Sequence, residues 1–125
     1  MKIFATLAIL LLAATASADV TVMDNDKTLT VDCAKDKNVY LVGNNITVTL
    51  TGTCDNVKVT GNHETVLGST LNAYVAGNNN TLTLDGVDKI SIAGNKNTAT
   101  YKKSATKKKT DVSNTGKDNT IMQAK

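Results

Sequence analysis

Proline, tryptophan and arginine are absent from the 125 residues of this chain. The lack of proline permits long β-ladders, because proline cannot donate a backbone hydrogen bond within a sheet. The lack of arginine argues against nucleic acid as a partner, since arginine makes the bidentate contacts that recognise phosphates and bases. Aromatic residues make up only 3% of the chain, too few to fill an ordinary globular core. Valine, isoleucine, leucine and threonine dominate instead, a composition typical of β-strands.

The first residues have the pattern of a secretory signal peptide. Lys2 precedes an apolar run over residues 3–14, and small residues at 16–18 resemble a cleavage site. The apolar run is too short to span a bilayer, so we predict no transmembrane segment. We therefore predict a signal peptide at 1–18, one mature domain at 19–125, and export to the periplasm or the extracellular space of a bacterium.

The predicted mature domain contains two cysteines, Cys33 and Cys54. In an exported protein such a pair predicts a disulfide. The absence of a Cys-x-x-Cys motif argues against a redox site. Closing a loop of about 21 residues would stabilise the fold by roughly 3 kcal/mol on the chain-entropy model.

A repeated motif organises the rest of the chain. The stretch GNNNTLTLDG, which begins at Gly77, recurs in variant form roughly every seventeen residues. Asp24 takes the place of the glycine in the first copy, and the other copies begin at Gly43, Gly61, Gly94 and Gly116. Apolar and polar residues alternate on both sides of each motif, as they do in half-buried strands. One such unit cannot bury its apolar face, whereas stacked units share a core.

These features predict an all-β fold, a small single-domain parallel β-solenoid (β-helix) of about six coils. The general preference of parallel crossover connections predicts a right-handed solenoid. Each coil would contain a strand, a Gly-Asn turn, a second strand and a second turn. Glycine would fill a left-handed or crowded backbone position in the Gly-Asn turn. The asparagines that follow would form a hydrogen-bonded ladder along the column, namely Asn25, Asn44, Asn62, Asn78 and Asn95.

With these motifs the chain resembles a bacterial family of domains of unknown function, the one numbered 3060. Its members are similar in their exported amino terminus, their tandem G-N-x-N-T-V units and two cysteines placed one coil apart. The resemblance covers nearly all of residues 19–125 and implies a β-helix. This chain departs from the family pattern at Glu64, at residues 68–71 and in a lysine-rich segment. The family implies no activity and no catalytic residue.

No catalytic constellation is evident in the sequence. His63 is the only histidine, and it lies in a repeat turn without a nucleophile at motif spacing. Asp24 and Asp26 flank Asn25, but the glycine-rich pattern of calcium-binding β-rolls is absent. We therefore predict a protein that is not an enzyme and that needs neither metal nor cofactor.

Two features could contact a partner. The first is the lysine-rich segment at 102–111, predicted to be a flexible polar loop on the side of the column. It contains Lys102, Lys103, Lys107, Lys108 and Lys109. These lysines could deter edge-to-edge sheet addition, or they could contact an anionic surface. The second feature is an outward row of Tyr40, Lys58 and Tyr74, which could stack on a glycan or contact a partner protein.

Threonines form two further rows if the coils stack. The rows comprise Thr28, Thr47, Thr65, Thr81, Thr98 and Thr120, and beside them Thr30, Thr49, Thr83 and Thr100. Such a Thr-x-Thr face resembles the ice-binding surface of small antifreeze solenoids, where hydroxyls and methyls order water. Threonine also suits any exposed strand and pairs well with threonine across a ladder. Leu67 and Met122 interrupt the second row.

The main prediction is an exported non-enzymatic β-solenoid, a rigid structural or binding module in the periplasm or at the cell envelope. Its partner would be an anionic envelope component or another envelope protein. Ice binding by the threonine face is the alternative. Glycan binding and amyloid-like self-assembly are further alternatives, since the open ends of the column present unpaired backbone groups that permit end-to-end association.

Overall fold

The structure is a computed structural model that describes residues 18–107 and 109–124. The predicted signal peptide lies outside the described residues, apart from its last position. The described part of the chain contains no helix that is long and apolar enough to cross a membrane. It forms nine β-strands joined by turns.

The strands coincide with the alternating segments of the sequence. Their bounds are β1 Ala18–Val22, β2 Thr28–Asp32, β3 Asp36–Leu41, β4 Thr47–Val59, β5 Thr65–Val75, β6 Thr81–Ile92, β7 Thr98–Lys103, β8 Asp111–Asn114 and β9 Thr120–Gln123. The three longest, β4 to β6, continue through the second corner of the coil, where the sequence predicted a separate turn. Gly52 and Gly68 bend this corner with φ values of 76° and 135°. Ladder pairing resumes directly after the bend.

The strands form two parallel ladders on opposite sides of a column. The β1 side consists of β1, β3, the second halves of β4, β5 and β6, and then β8. The β2 side consists of β2, the first halves of β4, β5 and β6, and then β7 and β9. Each coil contributes one strand to each side, and neighbouring coils lie about 4.8 Å apart. The predicted β-solenoid of about six coils is confirmed.

Stacked aliphatic side chains fill the column. Alternate residues of each strand point inward, so that residues of the same type lie above one another in successive coils. The buried positions on the β1 side include Val39, Val57, Ala73 and Ile90, and those on the β2 side include Val48, Val66, Leu82 and Ala99. The core therefore needs no Phe or Trp, because rows of branched side chains fill its narrow cross-section.

The Gly-Asn turn requires glycine because of crowding. A Cβ on Gly77 would lie 1.7 Å from the carbonyl oxygen of Gly61, the equivalent glycine one coil earlier. The left-handed backbone angle falls two residues after each glycine position, where φ lies between 56° and 60°. The residues with this angle are Asp26, Asn45, His63, Asn79, Lys96 and Asp118. Glycine was predicted to fill either a left-handed or a crowded backbone position in this turn, and the structure shows that it fills the crowded one.

Cys33 and Cys54 form a disulfide within the column, and both are fully buried. Cys33 follows β2, whereas Cys54 lies in β4 at the corresponding corner of the next coil. The bond spans a sequence separation of 21 and so removes chain entropy from the unfolded state. It ties the first coils of the column together covalently.

The lysine-rich segment differs from the prediction in its bounds and its attachment. Lys102 and Lys103 belong to β7, so the loop itself covers only residues 104–110. Asp88 anchors this loop by accepting hydrogen bonds from the Ser104 hydroxyl at 2.7 Å, the Thr106 N–H at 2.8 Å and the Thr106 hydroxyl. The loop is therefore fixed against the second corner at several points.

Candidate functional site

Tyr40, Lys58 and Tyr74 lie together on the outer surface of the β1 side. The parallel register pairs Tyr40 with Lys58 and Lys58 with Tyr74, which places the three side chains in one row. Lys58 Nζ lies 5.5 Å from the centre of the Tyr74 ring, a cation–π contact. Tyr74 is 41% exposed, so its ring is accessible to a partner. We call these three residues the tyrosine row.

A row of amides runs beside the tyrosine row, and the sequence analysis missed it. Asn72 Nδ2 donates a hydrogen bond to Asn56 Oδ1 at 3.2 Å, and Asn56 Nδ2 donates to Asn38 Oδ1 at 2.8 Å. Each asparagine precedes a member of the tyrosine row by two residues, which was the available signal. Because side chains two residues apart share one face of a strand, amides and rings form a single surface.

Shallow grooves border the tyrosine row at both ends. One groove has Thr21, Tyr40, Val42, Lys58 and Thr60 as its lining. The other has Asn72, Ala73, Tyr74, Lys89 and Ser91. Both combine an aromatic ring with an ammonium group and a hydroxyl, a mixture of groups that suits a polar ligand with apolar faces.

The threonines lie in two parallel rows on the outer surface of the β2 side. The ladders pair Thr28, Thr47, Thr65, Thr81, Thr98 and Thr120 in successive coils. Beside them lie Thr30, Thr49, Leu67, Thr83, Thr100 and Met122, in that order. The repeat along each row is the coil spacing of about 4.8 Å, and the two rows are about 6.6 Å apart, two residues along a strand.

Aspartates neutralise part of the lysine-rich segment. Lys102 Nζ lies 3.2 Å from an oxygen of Asp85, and Lys107 Nζ lies 3.5 Å from an oxygen of Asp111. Both ion pairs are exposed, so each contributes little to stability. Hydrogen bonds from Thr106 and Ser104 hold the pKa of the Asp88 carboxyl well below its usual range. The segment therefore carries less net positive charge than its five lysines indicate.

The asparagines that follow the turn glycines form an outer ladder. Asn44 N–H donates to Asn25 Oδ1 at 2.9 Å, and the same bond recurs between Asn62 and Asn44, between Asn78 and Asn62, and between Asn95 and Asn78. Each Oδ1 thus accepts from the backbone of the following coil. The side chains satisfy turn N–H groups that no strand can pair.

From the second coil onward the fourth residue of each turn points into the column, which the sequence analysis also missed. Asn80 Nδ2 donates to the carbonyl of Gly61 at 3.1 Å, and Asn97 Nδ2 donates to the carbonyl of Gly77 at 2.9 Å. The Asn80 and Asn97 oxygens also accept hydrogen bonds from backbone N–H groups of the preceding coil. We call this position the inner slot. Its occupants in chain order are Ile46, Glu64, Asn80, Asn97 and Asn119, whereas Lys27, at the equivalent position of the first coil, is exposed.

Glu64 is the one acidic occupant of the inner slot. Its side chain is 1% exposed, and neither carboxylate oxygen has a hydrogen-bond partner among the described residues. Burial raises the pKa of Glu64 to about 7. A protonated Glu64 can donate a hydrogen bond to a backbone carbonyl, as the amides of the later coils do. An ionised Glu64 cannot donate one.

His63 and the acidic residues do not converge on a reaction centre. His63 is exposed and occupies the left-handed position of its turn. Among the described residues, no group of three His, Cys, Asp or Glu side chains is placed to hold a metal ion. The candidate contact surfaces are the tyrosine row, the threonine rows and the lysine-rich segment.

Comparison with known proteins gave a family match for part of the chain. The family model described as a protein of unknown function (DUF3060) matches residues 65–118. The predicted family resemblance is confirmed over these residues, whereas the prediction extended it to nearly all of residues 19–125. No match to the chain was found among the curated proteins or among the solved structures.

The DUF3060 match covers only part of the candidate surface. It includes Tyr74, the segment that contains the loop at 104–110, and the threonine positions from Thr65 to Thr100. Tyr40 and Lys58 precede it, and so does the disulfide. The grouping of two tyrosines around Lys58 is therefore a feature of this chain that the matched DUF3060 segment does not contain.

Proposed function

We propose that this protein is an exported, non-enzymatic binding module that attaches to a glycan of the bacterial cell envelope through the tyrosine row. The observation that carries the proposal is the in-register stacking of Tyr40, Lys58 and Tyr74 on a rigid ladder. The disulfide supports export, because such bonds persist in oxidising compartments.

The chemistry of the β1 side favours a sugar polymer over other partners. Aromatic rings present flat apolar faces that can stack on a sugar ring, and the neighbouring amides can exchange hydrogen bonds with its hydroxyls. The column repeats every coil, so its surface suits a ligand that also repeats along its length. Lys58 and Lys89 add positive charge beside the rings, which favours a glycan that bears carboxylates or phosphates.

The two carboxyls with shifted pKa values support a non-enzymatic function. Glu64 is enclosed within the column and lacks access to a substrate. Asp88 is occupied by the hydroxyls and the N–H of the loop. Shifted pKa values often mark catalytic groups. Here both shifts follow from packing and from loop attachment.

Envelope binding is testable by co-sedimentation of the oxidised domain, residues 19–125, with isolated envelopes at low and high salt. We expect the wild type to pellet with the envelopes. Combining Tyr40→Ser with Tyr74→Ser should lower the affinity for the envelopes about tenfold, because two stacking contacts are lost. Thr49→Ser with Thr83→Ser is the matched control on the β2 side and should pellet like the wild type.

A second pair of variants tests the lysines. Lys103→Ser with Lys109→Ser should reduce pelleting at low salt only, because exposed charges are screened at high salt. If the wild type pellets at neither salt concentration, envelope attachment is refuted. Pelleting that is lost in the lysine variant but retained in the tyrosine variant would place the contact on the lysine-rich segment.

Ice binding is a second candidate, favoured by the register of the threonine rows. Ten threonines lie on one side of the column in two parallel rows, interrupted by Leu67 and Met122. We expect thermal hysteresis for the wild type, and its loss in Thr83→Lys, which places a charged chain at the centre of this face. Ser91→Lys on the β1 side is the control. A wild type that shows only colligative freezing-point depression would eliminate the candidate.

A further inference from the structure

The two ends of the column have strands that are unpaired within the described residues. At one end β1 and β2 border a groove formed by Val20, Val22 and Leu29, and Met23 is 72% exposed. At the other end Val112 is 46% and Met122 is 53% exposed. Open parallel edges with apolar groups normally invite the addition of another strand, so a second copy of this chain is the obvious occupant.

The repeat defines how a second copy would have to stack. Each coil places its turn glycine directly over the carbonyl oxygen of the equivalent residue in the coil before it. A copy added in the same register would therefore place its first coil on the last coil of its neighbour. Residue 24 of the added copy would then lie over the carbonyl of Gly116, as Gly116 itself lies over Gly94.

We propose that the two ends reject each other, and that Asp24 is the residue that blocks end-to-end addition. At the glycine of four successive coils a Cβ would lie 1.6 to 1.7 Å from the carbonyl oxygen of the coil before, namely at Gly61, Gly77, Gly94 and Gly116. Only glycine fits such a junction without a shift of the backbone. Asp24 carries a Cβ at this position, which the first coil tolerates because none of the described residues forms a turn beneath it.

Lys117 removes a hydrogen bond that the added copy would need. In the outer ladder each turn N–H donates to the asparagine Oδ1 of the coil before it. Lys117 N–H still donates to Asn95 Oδ1, at 3.0 Å, but its own side chain offers no acceptor. Asn25 of an added copy would therefore have an unpaired backbone N–H at the junction.

Like charges would also meet at the junction. The β1-side register leads from Asp19 through three asparagines and Lys89 to Asp111, so Asp111 would face Asp19 of the next copy. In the turn, Asp118 would face Asp26. Repulsion between exposed charges is weak in water and is screened by salt. The steric block at Asp24 is therefore the dominant barrier.

Sedimentation velocity of the oxidised domain over a range of concentrations tests this proposal. We expect the wild type and Asp24→Ala to remain monomeric. In Asp24→Gly the association constant should rise about tenfold or more, and adding Lys117→Asn should raise it further and give filaments by electron microscopy. Asp24→Ala is the matched control, because it removes the same charge and the same exposed ion pair with Lys27 but retains the Cβ.

Each alternative result would overturn a stated part of the proposal. End-to-end oligomers of the wild type would show that the ends accept each other. Equal association of Asp24→Ala and Asp24→Gly would show that charge, not the Cβ, is the barrier. If Asp24→Gly with Lys117→Asn is folded by circular dichroism and still monomeric at every concentration, neither residue blocks addition.

Discussion

Glu64→Asn is expected to stabilise the protein at neutral and alkaline pH and to remove most of the pH dependence of its unfolding between pH 4.5 and 7. Burial raises the pKa of Glu64 from its ordinary value of 4.5 to about 7, so the native state holds a proton that the unfolded chain releases in this window. The free energy of unfolding of the wild type should therefore be highest near pH 4.5 and fall as the pH rises. The expected fall is about 3 kcal/mol, complete above pH 7.

Asparagine is the informative replacement because it restores the inner slot of the later coils. In Asn80 and Asn97 the amide nitrogen donates to a glycine carbonyl of the preceding coil. Glu64→Gln is the matched neutral variant of the same length and should also be insensitive to pH in this window. Denaturant unfolding at pH 4.5, 6 and 8 measures the effect.

Asp88 limits the expected pH profile at its acidic end, and a variant at Asp55 provides the control. Asp88 has a lowered pKa, so its contribution is present above the unfolded pKa of about 3.9 and is lost at lower pH. Asp88 therefore does not change the free energy of unfolding above pH 4.5, and the change expected there comes from Glu64. Asp55→Asn, a change at an exposed carboxyl in β4, should keep the wild-type profile. A wild type equally stable at pH 4.5 and 8 would contradict the assignment to Glu64.

Gly77→Ala is expected to lower the free energy of unfolding by about 3 kcal/mol or more, at the upper end of the range for overpacking. The new Cβ would lie 1.7 Å from the Gly61 carbonyl oxygen, a backbone atom that cannot rotate away. The coils above and below the turn would have to separate, which breaks hydrogen bonds in the outer ladder and in the inner slot. Urea unfolding monitored by circular dichroism measures the loss.

Two other glycines provide controls for Gly77. Gly52 has a φ of 76° but open space, since its Cβ would approach other atoms only to 3.8 Å. Gly52→Ala should therefore cost about 1–2 kcal/mol through backbone strain alone. Gly86→Ala would place its Cβ 3.3 Å from Ala105, a contact that a small shift relieves. A loss at Gly77 no larger than at Gly86 would contradict the crowding argument.

The periodicity of the sequence was sufficient to predict the column and its rows. Alternation with a fixed repeat places Thr47 beside Thr65 and Tyr40 beside Lys58, because a parallel ladder keeps equivalent residues in register. The same reasoning aligned the turn residues but could not tell which of them point inward. Inward placement of Asn80 and Glu64 depends on a left-handed residue before each, a backbone angle that the polar composition of the turn does not reveal.

Corners and side loops were less predictable than strands. The second corner continues the ladder because single glycines bend it, so β4 to β6 are longer than the repeat suggested. Asp88 resembles any exposed acid in the sequence, and its attachment of the loop depends on Ser104 and Thr106 returning to it in space. Such contacts between non-repeated residues have no periodic signal.

The placement of the disulfide makes the column mechanically uneven along its axis. Each coil contacts only its neighbours, so the fold behaves as a one-dimensional array in which loss of order can begin at a terminus and propagate. The Cys33–Cys54 bond clamps the amino-terminal coils, whereas the last coil is held by two strands of four residues each. Fraying should therefore start at β8 and β9 and proceed toward the clamp, which leaves the tyrosine row among the last surfaces to lose its shape.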